Sequence, residues 1–192
     1  LTELQRDANK RFGYSAKETL NIMQRLYESH KVLTYPRTDS RYITTDVADT
    51  LKERLKACSV GPFRKLAGSL SMRPIRKNAS FVDNKKVTDH HAIIPTEQFV
   101  DLQTMTNEER KVYDLVVRRF LAVLLPAFEY DQTVFTGGLA GESFTAKGKI
   151  VKSKTPINGT VISPMWKRPS AKVLKSSIKL GTLRPDCLRA MR

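Results

Sequence analysis

The sequence predicts an α+β fold, a mainly helical domain followed by antiparallel strands. Three observations carry this. Ser15 with Glu18 and Thr106 with Glu109 form S/T-x-x-E capping boxes, each opening a run of apolar residues at helical spacing. From residue 129 the stretch "EYDQTVFTGGLAGESFTAKGKIV" alternates, is rich in Thr, Val and Phe, and carries Gly-rich turns. The chain has 192 residues and 40% hydrophobic content, enough for a sizeable core.

Each element follows in order. Thr2 to Phe12 reads as a helix with Leu4, Ala8 and Phe12 on one face, and Gly13 as its stop. The helix opened by Ser15 runs to about Ser29, with Ala16, Leu20, Met23 and Tyr27 expected inward. Val32, Leu33 and Thr34 read as a short strand. Thr45 is expected to cap one helix from Asp46 to Cys58, striped by Val47, Leu51 and Leu55. Residues 59–87 read as loops with one short helix. The apolar run Ala92-Ile93-Ile94 ends at Pro95. Thr106 opens a helix to about Leu125, with Tyr113, Val117, Phe120, Leu121 and Leu124 on its buried face, and Pro126 stops it. Two or three strands then follow. The expected organisation is a helical domain over 1–128, strands over 129–151, and a basic tail over 152–192.

The net charge of +15 favours an anionic partner, but it is unevenly spread. Residues 1–146 hold 22 Lys and Arg against 18 Asp and Glu, whereas residues 147–192 hold 12 against 1. No run of about 18 apolar residues occurs, so no transmembrane helix is expected. The first residue is Leu1 and no basic-then-apolar leader follows, so no signal peptide is read and the chain resembles part of something longer. Cys58 and Cys187 form no metal or redox spacing, which suits a reducing cytoplasm.

Two stretches can carry chemistry. In "TYPRTDSRY", Thr34 to Tyr42, a tyrosine is followed two residues on by an arginine. In extended backbone such residues face one side, so Tyr35 and Arg37 can address one phosphate. A phenol becomes a nucleophile when cations or donors stabilise its phenolate, and a guanidinium grips two phosphate oxygens. Asp39 is placed to orient Arg37 or a nearby histidine. A surface turn with a half-buried tyrosine explains the same composition. The second stretch is "TDHHAIIPT", Thr88 to Thr96, where His90 and His91 follow Asp89. Neighbours on a strand face opposite sides, so the two histidines are not expected to share a metal. The sequence contains no Walker loop, G-x-G-x-x-G, G-x-S-x-G or D-x-D motif.

Together these residues resemble the type IA DNA topoisomerases, and more closely the bacterial topoisomerase III branch. Four blocks occur in family order over about 150 residues. "LTELQRDANKRFGYSAKETLNIMQRLYE" is similar to the helical lead-in, "LTYPRTDSRYI" to the active-site tyrosine motif and "DHHAIIPT" to the histidine motif. "FLAVLLPAFEYDQTVF…ESFTAKGKIV" is similar to the return into the arch domain. "YPR" and "HHAIIP", rather than "YMR" and "HEAIRP", favour the topoisomerase III side.

The resemblance implies an ATP-independent strand-passage enzyme acting on single-stranded DNA. Tyr35 matches the nucleophile that forms a 5′-phosphotyrosyl link, Arg37 the arginine that stabilises the pentavalent phosphate, and His90 the histidine near the scissile phosphate. Asp39 is the implied orienting partner of His90, Gln24 the DNA-contacting glutamine of the preceding helix, and His91 a further neighbour of the site. The family uses magnesium held by a Toprim domain, and neither that domain nor the domain completing the single-strand groove is matched here. The chain by itself is therefore expected not to relax DNA. A tyrosine recombinase is a poorer fit, since its tyrosine follows an H-x-x-R motif, whereas Tyr35 precedes His90 and the third residue after His90 is Ile93. A non-catalytic single-stranded-DNA-binding module is the alternative from another class. The stretch "KTPINGTVISPMWKRPSAKVLKSSIKLGTLRPDCLRAMR" departs from the family and reads as a divergent, less ordered tail or a shifted reading frame.

Overall fold

The computed structural model describes residues 1–75, 77–125, 129–139 and 142–153. The expected basic tail, apart from its first two residues, lies outside them. Six α-helices precede a two-stranded antiparallel sheet among the described residues. They fall into two compact units, one of helices and loops and one a β-hairpin.

The first helix, α1 (Thr2–Phe12), ends where Gly13 takes a left-handed conformation (φ 75°) and donates its N–H to Asn9 O. Helix α2 (Ala16–Glu28) starts at the Ser15 capping box: Ser15 N–H donates to Glu18 Oε2 at 2.7 Å and Glu18 N–H to Ser15 Oγ at 3.1 Å. Its buried face is Thr19, Ile22, Met23 and Leu26, rotated from the expected stripe. Ala16 is exposed, Leu20 half-buried, and Tyr27 is 37% exposed. Thr19 can be buried because its hydroxyl donates to Ser15 O at 2.9 Å, which leaves no polar group unpaired.

The expected helix over 46–58 is two helices, α3 (Thr45–Asp49) and α4 (Leu51–Ala57). Its N-cap is Thr44, one residue earlier than expected. The break falls at Thr50, whose N–H and hydroxyl both turn back to Val47 O, at 3.2 and 3.0 Å. Local hydroxyl bonding of this kind competes with helix continuation. After a 3₁₀ turn at Gly61–Phe63, helix α5 (Arg64–Ser71) packs on α4. Helix α6 (Asn107–Leu124) opens with the Thr106 capping box and packs on α2.

One core joins these elements, with Met23, Leu26, Leu33, Leu55, Val117 and Leu121 fully sealed. On the other side of α6, Leu115 and Ala122 close over Ala8 of α1. The second unit pairs β1 (Glu129–Leu139) with β2 (Glu142–Ser153), Thr133 opposite Gly148 and Gly137 opposite Phe144.

Candidate active site

The tyrosine stretch begins at a tight turn. Lys31 sits at φ 57°, a left-handed conformation unusual for a side-chain-bearing residue. Its carbonyl accepts the Thr96 hydroxyl at 2.6 Å. The chain then runs antiparallel to the histidine stretch. Thr96 N–H donates to Val32 O and Thr34 N–H to Ile94 O, both at 3.0 Å, and Leu33 bridges Pro95. Thr34 Oγ1 accepts from Ile94 N–H at 3.0 Å and donates to Ala92 O at 3.3 Å. Further on, the buried Thr38 donates its hydroxyl to His90 O at 3.0 Å. A ladder built from threonines and backbone thus fixes the two motifs side by side.

That pairing puts Tyr35 against His90, with ring centroids 4.3 Å apart and planes tilted by 41°. Tyr35 is half-buried and His90 exposed. A third ring, Tyr27 of α2, meets Tyr35 edge-on at 5.5 Å and 80°. Arg37 is exposed just beyond the buried Pro36, so its guanidinium is open to an anion. Gln24 is half-buried one helical turn before Tyr27, on the same side of α2. Asp39 is exposed, and among the described residues no hydrogen bond or ion pair joins it to Arg37 or His90. His91 is half-buried and donates Nδ1–H to Ala92 O at 2.8 Å. The Thr44 hydroxyl, and to a smaller degree His91, help hold the Asp46 carboxyl below the usual carboxylate range.

Tyr113 gives a contrast. It is 1% exposed, its hydroxyl has no hydrogen-bond partner among the described residues, and burial pushes its phenol well above its ordinary value. Burial also pushes the neighbouring Cys58 thiol up to about 12. Neither group can act as a nucleophile at neutral pH. Tyr35 is half-buried against a histidine, two residues before the exposed Arg37.

Two buried charges hold the site's frame. Glu109, 3% exposed, accepts Arg25 Nε–H at 2.7 Å and Thr106 N–H at 2.9 Å, and its Oε2 lies 3.2 Å from His30 Nε2. Its burial alone would raise the carboxyl pKa. Arg25, the Thr106 N–H and His30 outweigh that and hold it below the usual range. His30 lies directly before the Lys31 turn, so this network anchors the start of the tyrosine stretch. At the far end of the histidine stretch, Arg54 of α4 donates to Pro95 O and Thr50 Oγ1, both at 2.8 Å, and pairs with Glu97 at 2.7 Å. Thr38, Arg54 and the full role of Glu109 are not legible in the sequence, because each bonds a partner distant in the chain, and the Tyr27 contact needs the turn after α2 to bring it to Tyr35. The capping box was the sole signal at Glu109.

Among the described residues no three His, Cys, Asp or Glu side chains come together to hold a metal ion, so the residues present do not fit a magnesium site. No described helix is long and apolar enough to cross a membrane.

Known proteins are similar to this chain in sequence. A family profile described as DNA topoisomerase matches residues 1–155. The chain belongs to the type IA DNA topoisomerases. It is 66% identical over 151 residues to the DNA topoisomerase 3 of Bacillus cereus (strain ZK / E33L) and to that of Bacillus anthracis, covering 79% of this chain and 21% of each relative. Against the DNA topoisomerase 3 of Bacillus subtilis (strain 168) the identity is 54% over 154 residues, 80% of this chain and 21% of the relative. This topoisomerase chain thus spans about a fifth of the length of those relatives.

Proposed function

We propose that this chain carries the nucleophile of an ATP-independent topoisomerase that cuts and reseals single-stranded DNA. Tyr35 Oη attacks the scissile phosphorus, forming a 5′-phosphotyrosyl bond as the bond to the 3′ oxygen breaks. Tyr35 gives up its phenolic proton as it attacks, the departing oxygen takes up a proton and becomes a 3′-hydroxyl, and both transfers reverse on resealing. Return attack by this hydroxyl releases Tyr35, so the phosphodiester energy is kept in the covalent link and no nucleotide is consumed. Arg37 neutralises charge building on the phosphate oxygens, and His90 hydrogen-bonds near the same phosphate. Gln24 contacts the strand, and His91 steadies the histidine stretch through its bond to Ala92 O. The magnesium ligands and the proton donor are proposed to come from outside this chain, since no described group of residues fits a metal ion. The cytoplasm, where the chromosome lies, is the proposed place of action.

The observation that carries this reading is the contact of the Tyr35 and His90 rings at 4.3 Å, which unites two motifs from separate parts of the chain. Binding of single-stranded DNA without cleavage is the second reading, for the chain acting by itself. It is favoured by the short share of its relatives that the chain spans.

The test uses a chimera in which this chain replaces its matching segment in the Bacillus cereus relative. A 3′-labelled single-stranded oligonucleotide becomes covalently attached to the wild-type chimera. Tyr35→Phe is expected to abolish attachment and leave non-covalent binding intact. Attachment that persists removes Tyr35 from the mechanism.

A further inference from the structure

Tyr27 is oddly placed for a helical aromatic. Its neighbours Met23 and Leu26 are sealed in the core, yet Tyr27 is 37% exposed. What it meets is the edge or face of Tyr35, at 5.5 Å and 80°, a geometry favoured by the aromatic quadrupole. His90 meets the same ring at 4.3 Å. Tyr35 therefore contacts two rings from two different elements. One of these, α2, is fixed by its buried face and by the Arg25–Glu109 ion pair, two residues before Tyr27.

We infer that Tyr27 is a positioning residue for Tyr35, fixing the swing of the phenol so that its hydroxyl meets phosphorus in line. The inference rests on the reading of Tyr35 as nucleophile. A tyrosine carries its hydroxyl at the end of a long rigid arm, so a small change at χ1 moves the oxygen far. Small misplacements of reacting atoms are costly to rate, and side chains locked by neighbours avoid them. The ladder of Thr34 and Thr38 fixes the backbone around Tyr35 but leaves its side-chain torsions free. The two rings supply what the ladder does not. The ring of Tyr27 is what matters here, since the contact is ring to ring.

Two measurements test this. In the full chain, the ring resonances of Tyr35, assigned by their loss in Tyr35→Phe, are followed by NMR. Tyr27→Ala is expected to shift them and Tyr27→Phe to leave them nearly in place. Unchanged resonances in Tyr27→Ala overturn the inference. In the chimera, single-turnover covalent attachment is measured at saturating oligonucleotide. Tyr27→Ala is expected to slow it about tenfold with affinity unchanged, and Tyr27→Phe to restore the rate to within about twofold. A wild-type rate in Tyr27→Ala overturns the inference. So does an equal loss in both variants, which makes the hydroxyl the working group, or a loss confined to affinity, which makes Tyr27 a DNA contact. Attachment that survives Tyr35→Phe instead overturns the nucleophile reading, so the two failures are distinct.

Discussion

The helices seal most of their large apolar side chains into a core, whereas the hairpin leaves Phe135, Phe144 and Ile150 exposed. In the helices, Met23, Leu26, Leu55 and Leu121 are fully sealed, and the buried charges Glu109 and Arg54 each have several partners. On the hairpin, Phe144 is 60% and Ile150 66% exposed. The register puts both on one face with Phe135, because Phe144 lies opposite Gly137, Ile150 opposite Asp131 and Phe135 opposite Ala146. A two-stranded sheet has no second layer of its own to cover such a face, and isolated hairpins are marginal in water. The difference teaches that the rigidity around Tyr35 comes from the helical unit, where burial and polar satisfaction coincide.

The largest effect should follow from opening that core. Leu121→Ala removes a fully buried side chain on α6 and is expected to cost about 3 kcal/mol of unfolding free energy. Urea denaturation followed by far-ultraviolet circular dichroism measures it. A loss below about 1 kcal/mol would erase the contrast with the hairpin.

Next is the charge that ties α2 to α6. Glu109→Gln puts an amide where Arg25 and the Thr106 N–H both need an acceptor, at an expected cost of about 2 kcal/mol at neutral pH. The pH dependence gives a sharper test. The folded carboxyl lies below its ordinary value of 4.5, so over that range the unfolded chain binds the proton more readily. Its contribution is therefore complete above about 4.5 and is lost as the pH falls through the lower folded value. The gap between wild type and Glu109→Gln should narrow on that acid side. A gap that stays constant down the titration would show that the charge itself contributes nothing.

Tyr113→Phe should move stability the other way. Among the described residues its buried hydroxyl lacks a hydrogen-bond partner, so deleting it is expected to stabilise the chain by about 1 kcal/mol. A comparable destabilisation in the denaturation curve would mean that the hydroxyl is bonded after all.

Most local signals for helix ends and for the hairpin are legible in the sequence, the Thr44 cap and the Thr50 break excepted, and distant pairings are not. Both capping boxes and the Gly13 stop lie within a few contiguous residues, and the helices start and end there. The change of period at residue 129 marked the hairpin for the same reason. The buried face of α2 was misjudged because two apolar stripes compete on it, and only tertiary packing chooses Ile22 and Leu26 over Leu20 and Tyr27. Thr50 broke a helix that its apolar stripe would continue. The site followed the same rule. Composition offered Tyr35 and Arg37 no more than a wet turn, and family resemblance was needed to join them to His90. Arg25 and Glu109 stand 84 residues apart, and no local pattern announces such a pair.

The smallest expected effect lies on the hairpin. Phe144 faces Gly137, which offers no side chain to pair with, and an added Cβ there would meet nothing within 4 Å. Cross-strand packing is the main way a sheet side chain contributes stability, so Phe144 has little to lose. Phe144→Ser should change the unfolding free energy by less than about 0.5 kcal/mol. It also removes apolar surface from the face shared with Phe135 and Ile150, and exposed patches of that kind promote association. Sedimentation velocity should therefore show the variant less self-associated than wild type at equal concentration. A destabilisation approaching that of Leu121→Ala would place the ring in a core, and the hairpin would then bury its apolar side chains as the helices do.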